Sequence, residues 1–128
     1  MTDPIAAMIT MMKNASHAGK TTVTVPHSKL KESILECLKR SGFVASFEKK
    51  IRNERPFLDI TLAAKNGDKI NDVTRVSKPS RRMYKSVKEI RMYKNGAGSF
   101  VFSTPKGILT DKEARKEMVG GEILFSIW

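Results

Sequence analysis

The stretch that decides the fold of the second half of the chain is Gly98-Ser99-Phe100-Val101-Phe102-Ser103-Thr104-Pro105-Lys106-Gly107. Residues 98–102 alternate in polarity, which predicts a strand. Residues 103–107 carry two hydroxyls, one ammonium and a glycine, which predict a tight polar loop. Thr110 with Glu113 three positions later is a capping box, so a helix is expected to follow the loop. A loop fixed between a strand and a helix can hydrogen-bond a phosphate or a base edge.

The last strand is predicted to bring a carboxylate to this loop. The helix is expected to run to about Met118 and to end at Gly120 and Gly121, and the final strand covers residues 122–128. If that strand pairs beside strand 98–102, Glu122 lies near the loop. A carboxylate beside an anion-binding surface is unfavourable unless it has a partner. Glu122 therefore accepts from a base amino group, accepts from Lys106 or the loop hydroxyls, or only ties the loop to the strand.

The charge of the chain favours a polyanionic partner. The 128 residues carry a net charge of +11, and 40% of them are hydrophobic, as in a globular protein. Residues 75–94 hold eight basic side chains against one acidic side chain, Glu89. A charge run is usually a solvated face, but this one precedes the hydroxyl loop closely. A membrane partner is not expected, because the sequence has no long apolar run and no basic amphipathic anchor.

The first half predicts a helix, a strand, a helix and two strands, in that order. The first helix opens at Asp3-Pro4 and stops near Gly19, and Ser28 caps the second, which ends at Gly42. The predicted strands are residues 21–25, 43–52 and 56–64, with a connection at residues 53–55. The expected core residues of the helices are Ile5, Met8, Ile9, Met11, Met12, Leu30, Ile34, Cys37 and Leu38. These elements form a small α/β unit with one sheet and helices on one side.

The second half predicts a sheet with two short helices. Asn66-Gly67-Asp68 is a strong turn signal and the expected domain boundary. Beyond it we expect four elements: an extended segment at residues 70–76, a break at residues 78–80, a short strand at residues 81–84 and a short helix at residues 87–94. The strand, loop, helix and final strand described above follow them. The predicted fold class is thus α/β (α+β): an N-terminal α/β domain, residues 1–66, precedes a mainly-β C-terminal domain with short helices, residues 67–128.

The sequence does not favour catalysis, a metal or a cofactor. Ser103 has no neighbouring histidine in the sequence, and the acidic residues form no matched pair. His17 and His27 stand alone without ligand spacing, and Cys37 is expected to be a small core residue. The first twelve residues have no basic head and no cleavage pattern, so no signal peptide is expected. The prediction is a protein that is not an enzyme.

Several segments together resemble the family of bacterial small-subunit ribosomal protein number eight. The carboxy-terminal signature is residues 103–111, 113–115 and 119–122. The amino-terminal signature is Asp3-Pro4-Ile5-Ala6 with residues 13–15, 25–26 and 28–31, and the middle is Ser77-Lys78-Pro79 with Arg82 and Tyr84. The resemblance covers essentially the whole chain in order. It implies a two-domain fold and a non-enzymatic, cytoplasmic protein of the small ribosomal subunit.

The resemblance also implies a function and its residues. Members bind a helix in the central domain of small-subunit ribosomal RNA early in assembly, and many repress translation of their own operon. The implied partners are this RNA and neighbouring small-subunit proteins, with a monomer outside the ribosome. The implied RNA-binding residues are Ser103, Thr104, Pro105, Lys106, Gly107, Gly121, Glu122, Tyr84, Arg82, Lys13, Asn14, Lys29 and Lys31.

This chain departs from the family pattern at three places. Pro105 stands where the family usually has serine, so one hydroxyl and one backbone N–H are missing from the loop. Ser80-Arg81 replaces the usual Gly-Leu, and Met11-Met12 replaces a more basic pattern. Two other hypotheses remain: a general RNA chaperone outside the ribosome, which would bind a random single strand as well as a structured fragment, and a hydrolase that uses Ser103.

Overall fold

The computed structural model describes residues 3–62, 70–90 and 98–128. The chain forms two compact units. We call residues 4–71 the N-terminal unit and residues 72–128, together with the first three residues, the C-terminal unit. The turn predicted at Asn66-Gly67-Asp68, and the domain boundary placed there, lie outside the described residues.

The N-terminal unit has the predicted order of elements. It consists of helix α1 (Pro4–His17), strand β1 (Thr22–Pro26), helix α2 (Lys29–Arg40), strand β2 (Val44–Arg52) and strand β3 (Arg55–Leu62). The three strands form an antiparallel sheet in the order β1-β3-β2. Ser28 caps α2 as predicted, since its hydroxyl accepts a hydrogen bond from the Lys31 amide.

The core of the N-terminal unit follows the helical and strand periods. The buried apolar residues of the five elements are Ile5, Met8, Ile9, Met12, Ala15, Val23, Val25, Ile34, Leu35, Cys37, Leu38, Val44, Leu58, Ile60 and Leu62. Two predicted core residues were wrong, because Met11 is 46% exposed and Leu30 is 43% exposed. Both lie just outside a stripe spaced i, i+3, i+4, i+7, which in α2 begins at Lys31 and includes Leu35.

A two-residue hairpin loop joins β2 and β3. Asn53 and Glu54 both have positive φ, at 49° and 63°. Such a loop matches the right-handed twist of the flanking strands. Arg55, predicted as part of the connection, is the first residue of β3 and pairs with Arg52.

The C-terminal unit is built on a five-stranded antiparallel sheet. Its elements are strands β4 (Val73–Arg75) and β5 (Tyr84–Lys85), a 3-10 turn (Val87–Glu89), strands β6 (Ser99–Thr104) and β7 (Gly107–Thr110), helix α3 (Asp111–Glu117) and strand β8 (Gly121–Ile127). The strand order is β4-β8-β6-β7, and β5 also pairs with β8.

Some predicted elements of this unit differ from the observed ones. The sequence did not predict β7, so the stretch expected to be a loop before a helix is a hairpin turn between two paired strands. The strand predicted at residues 81–84 is Tyr84–Lys85. Residues 91–94 of the helix predicted at 87–94 lie outside the described residues. The capping box of Thr110 and Glu113 is confirmed, and Met118, with φ of 57°, ends α3 before Gly120 is reached.

Strand β8 is the centre of this unit. The sequence indicated one buried face, with Ile123, Phe125 and Ile127, but Leu124 and Ser126 are also buried. The edges of β8 are occupied by β4, β5 and β6, with which it pairs, and residues 123–127 are buried on both of its faces. One face belongs to a core cluster formed by Ile90, Phe102, Ala114 and Ile123.

Candidate nucleic-acid interface

Four residues on neighbouring strands of the C-terminal sheet lie in register. Tyr84 pairs with Glu122, Glu122 pairs with Ser103, and Ser103 pairs with Ile108. Directly opposed residues of antiparallel strands present their side chains on the same face. We call Tyr84, Glu122 and Ser103 the polar row. The predicted proximity of Glu122 to the hydroxyl stretch is confirmed.

Two glycines let the backbones approach at this place. A Cβ atom on Gly121 would lie 2.1 Å from the Ser103 carbonyl oxygen, and one on Gly120 would lie 2.4 Å from the Lys85 carbonyl oxygen. Neither distance leaves room for a side chain, since both obstacles are backbone atoms. The two glycines therefore serve the close packing of β8 against β6 and β5, rather than the end of the helix.

The residues after Ser103 form a tight turn that is held by its own hydrogen bonds. The Thr104 hydroxyl donates to the Gly107 carbonyl at 2.8 Å and accepts from the Lys106 amide at 3.1 Å. Pro105 and Lys106 are exposed at the tip, and Gly107 has φ of 115°. The Lys106 ammonium lies 3.4 Å from the Glu117 carboxylate. The turn is thus fixed in shape and presents a cation.

Ser103 differs from Thr104 in the use of its hydroxyl. Its side chain is only partly buried. Within residues 3–62, 70–90 and 98–128 its hydroxyl forms no hydrogen bond, whereas that of Thr104 forms two. The Ser103 hydroxyl is therefore available as both donor and acceptor at the protein surface.

The partner of Glu122 is a residue that the sequence analysis did not pair with it. Its carboxylate accepts from the Arg82 guanidinium at 3.1 Å, rather than from Lys106 or the loop hydroxyls. The Glu122 side chain is 16% exposed and that of Arg82 is 51% exposed. The ion pair orients the arginine, and about half of the Arg82 side chain remains exposed to solvent.

A buried serine supports the loop that carries Arg82. The Ser77 hydroxyl accepts from the Met83 amide at 2.7 Å and donates to the Met83 carbonyl at 3.2 Å. Lys78 and Arg81 exchange backbone hydrogen bonds at 2.8 and 2.9 Å, which closes a tight turn at Pro79-Ser80. Tyr84 follows directly and is 69% exposed. By bonding to Met83, Ser77 positions the neighbouring residues Arg82 and Tyr84. Its complete burial is the feature that distinguishes it from other serines in loops.

The basic stretch 75–94 divides between internal and external roles. Arg75 is internal, with its side chain 9% exposed and paired to Asp3 at 3.0 Å. Exposed side chains are those of Lys78, Arg81, Arg82, Lys85 and Lys88, while Arg91 and Lys94 lie outside the described residues. Hydrogen bonds from the Ser86 amide and hydroxyl, with the charge of Lys85, lower the pKa of Glu89. Glu89, the one acidic residue of the stretch, thus stabilises the 3-10 turn that contains it. The other charged side chains that are exposed in the described part of the stretch are basic.

Four predicted contact residues belong to the N-terminal unit. Asn14 and Lys29 are exposed and Lys13 is partly buried. Lys31 is buried instead, and its ammonium donates to the Pro26 carbonyl at 3.1 Å. That bond gives Lys31 a role in joining β1 to α2.

The described residues offer no metal cluster. The His17 ring is 2.9 Å from the Asn71 carbonyl, and the His27 ring is 2.9 Å from the Glu32 carboxylate. No three histidine, cysteine or acidic side chains come together as metal ligands in the part of the chain that the structure describes. Over the same residues, no helix combines the length and apolarity needed to cross a membrane.

Fold and surface define a small basic α+β protein with a polar row beside exposed cations, and comparison with known proteins gives its family. The family model described as ribosomal protein S8 matches residues 3–128. The small ribosomal subunit protein uS8 of Chlorobium limicola is 45% identical, and the alignment covers 100% of this chain and 98% of that protein. Those of Thermus aquaticus and Thermus thermophilus are 42% and 41% identical, each with 100% and 99% coverage. The chain belongs to the ribosomal protein S8 family.

Proposed function

We propose that this protein is a structural constituent of the small ribosomal subunit that binds a helix in the central domain of its ribosomal RNA and helps to nucleate assembly. Family membership supports the structural, non-catalytic role. The proposal places the protein in the cytoplasm, on the ribosome, beside neighbouring small-subunit proteins, and as a monomer before it binds. A messenger RNA with a similar helix would occupy the same surface, which is the basis of the proposed repression of its own operon.

The observation that carries the proposal is the surface hydroxyl of Ser103 in register with Glu122. An A-form RNA helix exposes 2′-hydroxyls and base edges in a wide, shallow minor groove. A serine hydroxyl without an internal partner can donate to either or accept from either. Tyr84, 69% exposed on the same row, offers a ring for a base that is unstacked by a bulge or distortion.

The surrounding cations supply the sequence-independent part of the affinity. Lys106 at the turn and Arg82, Lys85 and Lys88 before β6 are exposed. Side chains of this type neutralise phosphates and release counterions, so binding weakens as salt rises. Phosphate contacts fix the position of the protein on the RNA, and the side chains of the polar row recognise the RNA helix.

The test is the affinity of Ser103→Ala for a central-domain RNA fragment, measured at fixed salt. We expect a loss of about 1–3 kcal/mol if the hydroxyl reaches a base edge. Ser33→Ala removes an exposed hydroxyl from α2 and serves as the matched control, with affinity equal to that of the parent. Equal affinity of the Ser103 variant and the parent would contradict the assignment of the row.

A random single strand in the same assay separates this proposal from a general RNA chaperone. The proposal predicts strong preference for the folded fragment, because the row is fixed on paired strands. A chaperone would bind both alike through stacking and charge. Equal binding of the two RNAs would therefore reject the ribosomal site and favour the chaperone.

A further inference from the structure

The tip of the β2–β3 hairpin in the N-terminal unit is a second concentration of positive charge. Residues 49–55 contain four basic side chains and one acidic side chain, Glu54. All seven residues are exposed. Ile51, in the middle of the tip, is 72% exposed. The tip therefore has a net charge of +3, counted from the same seven residues, and one exposed apolar side chain.

Two basic side chains of the tip lie in an arrangement that is unfavourable for the folded hairpin. Arg52 and Arg55 are directly opposed across the hairpin, immediately before the loop. Like charges at such positions destabilise a strand pair. Among the residues that the structure describes, Lys49 and Arg55 form no ion pair with an acidic side chain. Two of the four cations are thus left without an acidic partner among the described residues, and an external polyanion would relieve the repulsion.

Two carboxylates hold part of this surface in place: that of Asp59, and that of Glu48, which lies 3.7 Å from the Lys50 ammonium. The Asp59 carboxylate accepts from the Thr24 hydroxyl at 2.8 Å and lies 3.2 Å from the Lys50 ammonium and 3.7 Å from the Arg52 guanidinium. These groups line a trough of about 580 Å³ on the face of the sheet that carries Thr22, Thr24 and Thr61. Two cations are thereby oriented on the same face as Arg55, next to a row of hydroxyls.

We propose that the β2–β3 hairpin is a second RNA-contacting element, in which Lys49, Lys50, Arg52 and Arg55 contact the phosphates of structured ribosomal RNA. Because side chains alternate along a strand, Lys50, Arg52 and Arg55 lie on one face of the hairpin and Lys49 and Ile51 on the other, so the RNA contacts both faces of the tip. The element is separate from the polar row, because it belongs to the other unit. The identity of the RNA rests on the proposed function, while the contact itself rests on the charge and exposure of the tip.

The first experiment measures the salt dependence of binding to a central-domain RNA fragment. The variant Lys49→Gln/Arg55→Gln removes two charges without removing an ion pair. We expect a slope of log affinity against log salt that is smaller by about 2, and an affinity about tenfold lower near physiological salt. Lys39→Gln/Arg40→Gln removes one exposed lysine and one exposed arginine at the end of α2, and its slope should match that of the parent.

The second experiment places a hydroxyl-radical source on the tip. Cys37 is buried, so a tethered iron chelate attaches to an introduced thiol. Ile51→Cys should cleave one defined RNA segment, Lys85→Cys should cleave near the polar row, and Ser33→Cys should cleave neither. Cleavage from position 85 without cleavage from position 51, and an unchanged salt slope of the Lys49/Arg55 variant, would overturn the inference and leave the proposed function intact.

Two other results have distinct meanings. Loss of cleavage from both positions, together with unchanged binding of Ser103→Ala, would reject the proposed function itself. A Lys49/Arg55 variant that binds isolated RNA like the parent but is missing from assembled subunits would assign the tip to a protein neighbour. That outcome would also overturn the inference.

Discussion

At the scale of single residues, two adjacent hydroxyls do different work. Thr104 uses its hydroxyl twice inside the turn, so this hydroxyl stabilises the shape of the turn. Ser103 presents its hydroxyl at the surface because β6 holds it in register between β7 and β8. A similar division exists between Glu122, which orients Arg82, and Arg82, which faces solvent. Within each pair, one residue therefore supports the local structure and the other presents its polar group to solvent.

The ion pair between Arg82 and Glu122 leads to a prediction for paired variants. Arg82→Ala should weaken binding across RNA sequences and reduce the salt slope by about 1. It also leaves the Glu122 carboxylate without its partner beside the RNA. Adding Glu122→Gln to the Arg82 variant should then restore part of the lost affinity. The measurement is a double-mutant cycle at fixed salt, and strict additivity of the two changes would argue against a shared role.

At the scale of elements, the site depends on how closely the strands approach. The hairpin of β6 and β7 turns at Pro105 and Lys106, and proline at the first central position of a turn restricts the backbone before any ligand arrives. β8 approaches β6 where Gly121 faces the Ser103 carbonyl. The position of Ser103 is therefore set by a glycine on another strand.

Gly121→Ala should destabilise the protein and disturb the site together. The added Cβ would have to move backbone atoms of β6, and overpacking of this kind costs about 1–3 kcal/mol of unfolding free energy. Urea denaturation measures the stability, and RNA affinity should fall further than the loss of folded protein explains. Gly19→Ala is the control: it has open space but φ of 76°, so it should lower stability slightly and leave binding unchanged. Wild-type affinity of folded Gly121→Ala would show that β6 adjusts freely.

The same elements show which parts of the secondary structure could be predicted from the sequence and which could not. Local signals worked: the caps at Ser28 and Thr110 and the order of helices and strands in the first half are observed. β7 was not predicted, because it has only four residues and the last of them, Thr110, is itself the cap of α3. Burial of both faces of β8 depends on partners distant in the chain, which a single sequence does not contain.

At the scale of the whole molecule, each unit has its own core and its own concentration of exposed positive charge. The tight turn and the position of Glu122 were predictable, since both follow from the order of strands along the chain. The partner of Glu122, the support from Ser77 and the steric role of Gly120 were not. Each depends on a contact between segments that only the folded sheet brings together.

Acid titration should reveal the contribution of Asp59 to the N-terminal unit. Hydrogen bonds from Thr24 and Lys50, with the charges of Lys50 and Arg52, lower the pKa of Asp59 below the usual value of an aspartate. Since the folded pKa lies below the unfolded one, the stabilisation is fully present above pH of about 4 and is lost as the pH falls through the folded pKa. Urea denaturation between neutral and strongly acidic pH should therefore show Asp59→Asn less stable than the parent near neutrality. The two should converge in acid, because the parent then loses the same bonds.

The control is Glu36→Gln, on the exposed side of α2, whose stability should run parallel to that of the parent at every pH. A constant gap between Asp59→Asn and the parent at every pH would show that the carboxylate contributes packing rather than charge, and that Lys50 and Arg52 are not oriented by it.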